Sequence, residues 1–262
     1  MRMLSRVRRG LNRLRFGPRI ATRYDGPLVR LGSGYGGWVF ADAGDLGGAT
    51  IVACGLGEDA SFDTEFAARF GARVVIVDPT PRAIAHYEAM VSRVGLPRER
   101  EYAIGGTQSP SAYDLTSVSA EQLMLIPKAV TDSVGTVRFF APTNPSDVSH
   151  SVVNFQNDYS DSTPFIEVES IDFNGVLAVA GVASVALVKF DIEGAEIAVI
   201  PQMIAAGVKP RQILVEFDEL NRPSRRARRN FDSVHGLLLG EGYLPIDFDG
   251  RSCVSYLHVD AP

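Results

Sequence analysis

"VACGLGEDASFDTEFAARFGARVVIVDPTP", residues 52–81, decides the fold. Its front end, together with the preceding Thr50 and Ile51, makes a short apolar stretch over 50–55 suited to a buried strand. Phe62, Phe66 and Phe70 then recur at i, i+4 and i+8, which places all three on one face of a helix. Ser61 stands where it can cap that helix, and Gly71 where it can end it. Residues 73–78, RVVIVD, read as a second buried strand. A second helix is expected over 80–95, with Thr80 as its cap, Pro81 in the first helical position and Gly95 closing it. Strand, helix, strand, helix predicts an α/β fold with a parallel sheet.

The loop between the first strand and helix carries the chemistry. Gly55 and Gly57 lack a Cβ, so the backbone there can turn tightly and come close to a ligand. Asp78 ends the second strand, where a doubly wound sheet lets a carboxylate accept hydrogen bonds from both hydroxyls of a ribose. "GLGEDA" also fits the G-x-G-x-x-A dinucleotide pattern. A diphosphate, however, needs a helix N-terminus free of negative charge. Glu58 and Asp59 occupy that place. They suit a cation, such as an ammonium or a sulfonium, and S-adenosylmethionine carries both. Capping of the helix is the plainer role for either acid. S-adenosylmethionine and a nicotinamide dinucleotide both stay open at this point.

A second segment, "LVKFDIEGAE" (187–196), delivers Asp191 and Glu193 to the carboxyl end of a buried strand. Ligands in open α/β sheets bind at that end. Glu196 lies a turn further on and is expected to face solvent or make a local pair. Strands are also expected at 212–219 and on both sides of Asp249-Gly250, a hairpin signal near the C-terminus. In the middle, "LMLIPKAVTD" and "VRFFAP" look like strands joined by a turn at 132–135. Residues 143–164 are expected to form a long polar loop, a feature that in a compact domain is usually functional or mobile. His150 lies in it and is the one histidine considered as a general base. His86, His235 and His258 fall in predicted elements and read as structural. Trp38, the only tryptophan, sits in "YGGWVF" and either packs in the core or stacks over a ligand.

These stretches resemble the FkbM-type methyltransferases. The resemblance rests on "YGGW" (35–38), "GLGEDASFD" (55–63), "VDPTP" (77–81), "VKFDIEGAE" (188–196) and "ILVEFDE" (213–219), which occur in the family's order. It implies a Rossmann-like class I methyltransferase fold: a mostly parallel seven-stranded sheet with a C-terminal antiparallel hairpin. It also implies S-adenosylmethionine as cofactor and O-methylation of a hydroxyl on a sugar or natural product. On that reading Gly55 and Gly57 shape the cofactor turn and Asp78 holds the ribose. Glu58 or Asp59 meets the methionine ammonium, Trp38 lies at the cofactor, and Asp191 and Glu193 face the methyl and the acceptor. Relatives often end the 213–219 strand in Glu-x-His, where this chain has Glu216-Phe217-Asp218. The competing readings are an NAD-dependent oxidoreductase and a catalytically inactive binding module on the same fold. No metal is expected as a fixed component, although Asp191, Glu216 and Asp218 together offer oxygen ligands of the kind Mg²⁺ takes.

Charge and composition narrow the rest. The net charge is −5, yet residues 1–19 hold seven arginines and no acid, which leaves −12 on the remainder. So acidic a body argues against nucleic acid as a partner. Leu4, Val7, Leu11 and Leu14 recur at helical spacing in that basic arm. A solvated arm is the plain expectation; peripheral contact with an anionic membrane or a partner is one alternative, and an organellar transit peptide has the same look. Arg222, Arg225, Arg226, Arg228 and Arg229 are expected on a solvated helix face, with a phosphate-bearing substrate as the alternative. No apolar run approaches the roughly 20 residues of a membrane span. Cys54 and Cys253 are far apart and lack metal spacing, which fits a reduced, cytoplasmic setting. The expected organisation is a basic arm over 1–19 and one methyltransferase domain over 20–262.

Overall fold

The computed structural model describes residues 15–43, 46–140 and 163–259. Its centre is a seven-stranded sheet. Strands β3 (Thr50–Cys54), β4 (Arg73–Val77) and β5 (Leu123–Ile126) make one half. Strands β9 (Leu187–Phe190), β10 (Gln212–Glu216), β11 (Tyr243–Phe248) and β12 (Cys253–His258) make the other. The order across the sheet is β11-β12-β10-β9-β3-β4-β5. Neighbours from β5 to β10 run parallel, and β12 runs antiparallel to both β10 and β11. The expected α/β class, the mostly parallel seven-stranded sheet and the reversed C-terminal hairpin are all present.

Alternate strand residues explain the two cores. Val52, Cys54, Val75, Val188, Phe190, Ile213 and Val215 point to one face. There they meet α3 (Phe173–Ala180), α4 (Glu196–Ala205) and α5 (Arg225–Gly240). Ile51, Ala53, Val74, Ile76, Leu187 and Leu214 point to the other. They meet α1 (Ser61–Phe70), α2 (Pro81–Val91) and the hairpin of β1 (Leu28–Leu31) and β2 (Trp38–Ala41). Strands buried on both faces read as continuous apolar runs, which is why "TIVAC" and "RVVIV" carry no alternation. Phe62 and Phe66 fill the α1 face, and Phe40 from β2 packs on them at 6.0 and 5.3 Å.

Several local expectations need correction. Ser61 is the first residue of α1 rather than its cap; the cap is Ala60, and the Ser61 hydroxyl accepts from the Ser33 N–H. Helix α2 ends at Val91, short of Gly95. The segments around 123–130 and 135–140 are not one hairpin. β6 (Ala129–Val130) and β7 (Gly135–Phe140) both pair with β8 (Phe165–Ile171), which lies between them. Trp38 is 5% exposed and packed among core side chains, so the ring works as core. Most of the basic arm, residues 1–14, and His150 lie outside the described residues. Gly17 at the arm's end accepts a hydrogen bond from Arg228 of α5, and Ile20 packs on the core. Among the described residues, no helix is long and apolar enough to cross a membrane.

Candidate active site

The chain passes from β3 to β4 on one side and from β9 to β10 on the other, so the β3/β9 boundary is the sheet's switch point. Gly55 and Asp191 stand just beyond the two strand ends there. The Asp191 N–H donates to the Cys54 carbonyl at 3.0 Å. Gly55 has φ 88°, and a Cβ on it would lie 1.9 Å from the Asp191 carbonyl oxygen. Its missing side chain therefore serves the junction of the two strands.

Asp78 reaches into the same place from β4. Its Oδ2 accepts from the N–H groups of Leu56 and Gly57 at 2.9 and 3.0 Å. Its Oδ1 accepts from the Thr80 N–H and hydroxyl at 2.9 and 2.7 Å. Four donors match the roughly four lone-pair positions of a carboxylate. Asp78 is 7% exposed and ties the glycine loop to the start of α2.

Glu58 and Asp59 are both engaged by the chain. Glu58 takes a two-pronged bond from Arg82, with Nε at 3.0 Å, and a third from the Thr107 hydroxyl at 3.0 Å. Its carboxyl lies below the usual range: burial works against this, while the bonds from Arg82 and Thr107 outweigh it. Asp59 accepts from the Ser33 hydroxyl at 2.6 Å and from the Ser61 N–H at 3.0 Å. A Cβ on Gly36 would strike the Asp59 carboxylate, and one on Gly37 would strike the Ser33 carbonyl and the Arg30 guanidinium, so both glycines of "YGGW" are needed for close packing. Arg82 is the residue sequence reasoning missed here; its place in the first turn of α2 was the available signal.

Asp191 stands apart from these. It is half-buried, and among the described residues its side chain has no hydrogen-bond partner. Burial pushes its carboxyl well above the usual carboxylate range. Nearby Glu216 adds to the rise, Lys189 opposes it, and Glu193 and Asp78 add smaller pushes. Glu193 follows at φ 54°, a left-handed backbone that a non-glycine residue seldom adopts. The switch point thus gathers Asp191, Glu193, Glu216 and Asp78. Glu216 is held by Ser252 and Asn221, each at 3.1 Å, and Asn221 also holds Asp218 at 3.1 Å. Among the described residues no three His, Cys, Asp or Glu side chains converge as a metal site, so Asp191, Glu216 and Asp218 do not form one.

Beneath Asp191 lies a buried ion pair. Lys189 sits in the central strand β9 with its Nζ 3.8 Å from Asp63 of α1, and the two side chains are 3% and 0% exposed. The ammonium also lies 5.9 Å from the Phe62 ring. Glu196 corrects an expectation: it is fully buried, accepting from the N–H groups of Gly194 and Asp218 at 2.9 and 3.1 Å. It thereby clamps the loop after β9 to the end of β10.

A family model described as the methyltransferase FkbM domain matches residues 47–245, well over half of the chain. The chain belongs to the FkbM methyltransferase family. No curated protein matches it. The matched region of this FkbM chain runs from just before β3 into β11 and contains Gly55, Glu58, Asp59, Asp78, Asp191, Glu193 and Glu216, while Ser33, Gly36 and Ser252 lie outside it. The remaining histidines in this FkbM chain are structural. His86 Nε2 meets the Tyr113 hydroxyl at 2.7 Å, and that hydroxyl accepts from the Ala60 N–H. His235 Nδ1 meets the Tyr256 hydroxyl at 2.8 Å, and His258 packs edge-on against Tyr243.

Proposed function

We propose that the protein transfers a methyl group from S-adenosylmethionine to a hydroxyl of a sugar or decorated natural product, with Asp191 as the proton acceptor. One observation carries this reading. Asp191 is the switch-point carboxylate left without a hydrogen-bond partner among the described residues, and its basicity is raised by burial and by Glu216. An alcohol is a weak acid, and a carboxylate of ordinary pKa is a poor base for it. Desolvation raises that basicity without a metal.

The acids at the switch point favour a cationic cofactor. S-adenosylmethionine, when bound, supplies an electrophilic methyl group. Asp78 and the 55–57 turn would hold its ribose side, the ribose hydroxyls displacing or sharing the donors that Asp78 now accepts. Asp191 hydrogen-bonds the acceptor hydroxyl, aims its oxygen and takes its proton. Glu193, on the same turn, borders the acceptor.

The oxidoreductase reading has less support. A dinucleotide loop needs free N–H groups for the diphosphate. Here Leu56 and Gly57 donate to Asp78, Ala60 to Tyr113 and Ser61 to Asp59. The charge argument against a diphosphate is weaker at Glu58, which Arg82 neutralises, and it rests on Asp59, Asp78 and Asp191. Mass spectrometry of products from hydroxylated acceptors tests the proposal. A methyl found at oxygen supports it; a methyl consistently at nitrogen or carbon overturns it.

A further inference from the structure

We propose that a separate cavity beside the transfer site binds a phosphoryl group carried by the acceptor. This rests on the methyl-transfer reading and names its substrate class: a sugar that bears a phosphate or diphosphate.

The cavity measures about 200 Å³ and is lined by Arg19, Arg251, Gly250, Phe248, Leu220 and Pro223, among others. It opens at the carboxyl edge of the sheet. Phe248 ends β11, Arg251 lies in the turn before β12, and Leu220 lies in the short helical turn Asp218–Asn221 that follows β10. Its link to the transfer site runs through Ser252 and Glu216. Ser252, next to Arg251, donates its hydroxyl to Glu216, and Glu216 is the charge that acts most on Asp191.

The lining points to an anion. Arg19 and Arg251 are exposed, and among the described residues neither guanidinium has a carboxylate partner. The nearest acid in the turn, Asp249, spends one carboxylate oxygen on the N–H groups of Arg251, Ser252 and Cys253. Pro223 precedes Ser224, the cap of α5, whose first turn holds no acid. The positive end of that 16-residue helix therefore adds to the two arginines. Two guanidinium forks suit the several oxygens of a phosphoryl group better than the two of a carboxylate. A whole ligand usually fills roughly 300–1,000 Å³, so this cavity takes one group while the sugar extends towards Asp191. Phe248, Leu220 and Pro223 give the carbon skeleton an apolar rim.

Calorimetric titration with inorganic pyrophosphate, on the full chain and on an Arg19→Gln/Arg251→Gln variant, tests this. The expected result is a loss of pyrophosphate affinity of about tenfold or more, one ionic contact being worth on the order of that factor, with S-adenosylmethionine affinity unchanged. A hexose 1-phosphate and a nucleoside diphosphate hexose, titrated in parallel, distinguish the source; the tighter one names it. Pyrophosphate that fails to bind, binds both proteins equally, or is lost together with S-adenosylmethionine overturns the proposal. Arginine-dependent pyrophosphate binding in a protein that never binds S-adenosylmethionine leaves the phosphoryl site standing and removes the cofactor reading.

Discussion

Gly55 and Asp191 meet backbone to backbone: a Cβ on the glycine would sit 1.9 Å from the aspartate carbonyl oxygen. The same glycine has φ 88°. Gly55→Ala therefore meets two penalties, backbone strain of about 1–3 kcal/mol and overpacking of about 1–3 kcal/mol. A denaturant midpoint should show a loss of roughly 3 kcal/mol, with methyl transfer lost as well, because Asp191 is displaced. A variant within about 0.5 kcal/mol of the wild type, the range of a neutral surface change, would contradict the geometry.

Lys189 and Asp63 form a buried pair in the central strand and α1. Removing one partner strands the other charge, at a cost of about 3–5 kcal/mol. Lys189→Met should lose about that much, and Lys189→Met/Asp63→Leu should regain most of it. Lys189 also holds the Asp191 carboxyl down, so the single variant should shift the pH–rate limb to higher pH. Additive losses in the double variant would show that the two residues do not act as a pair.

Asp78 is less separable from folding than a strand-end carboxylate suggests in the sequence. Asp78→Asn keeps the shape but sets an amide against the N–H groups of Leu56 and Gly57 or of Thr80. Stability should fall by about 1–3 kcal/mol, the cost of leaving buried donors unpaired. S-adenosylmethionine affinity should fall too, by about tenfold or more, since hydrogen bonds to a charged group are worth about 1.5–3 kcal/mol. Unchanged affinity in the folded variant would remove Asp78 from the ribose site.

Burial pushes the Asp218 carboxyl up to about 7, with Glu216, Glu219 and Asp191 adding to the rise and Asn221 opposing it. Between the unfolded value near 3.8 and about 7, the folded protein keeps a proton that the unfolded chain releases. Stability is thus greatest below this window and declines as pH rises through it. Glu196 and Glu219, both raised by burial, act in the same sense. Asp218→Asn should flatten the decline, read as melting temperature from pH 4 to 8. A slope identical to the wild type would contradict the assignment.

The fold was largely legible because parallel strands buried on both faces write themselves as apolar runs, and Phe62, Phe66 and Phe70 mark α1 by period alone. The C-terminal hairpin was legible from Asp249-Gly250, whose turn needs Gly250 at φ 77°. What the sequence hid were the long-range polar pairings. Nothing local says that Glu58 meets Arg82, that Asp59 meets Ser33, or that Glu196 is buried against the N–H of Asp218, since each pair joins segments that only the folded sheet brings together. Lys189 gave the clearest missed signal, a single charge inside a run otherwise apolar. Trp38 could not be assigned locally, because a ring in "YGGW" serves a core or a ligand equally well.

Release of S-adenosylhomocysteine and its pH profile, compared between the wild type and Asp191→Asn on an acceptor hydroxyl, tests the central claim most directly. Turnover of the wild type should rise with pH, with its midpoint above the ordinary carboxylate range, because only the ionised Asp191 can take the proton. Asp191→Asn should lose that limb and at least about 100-fold in turnover, a general-base scale of loss, while S-adenosylmethionine affinity changes little. Equal turnover in the two proteins, or binding of NAD in place of S-adenosylmethionine, would contradict the account.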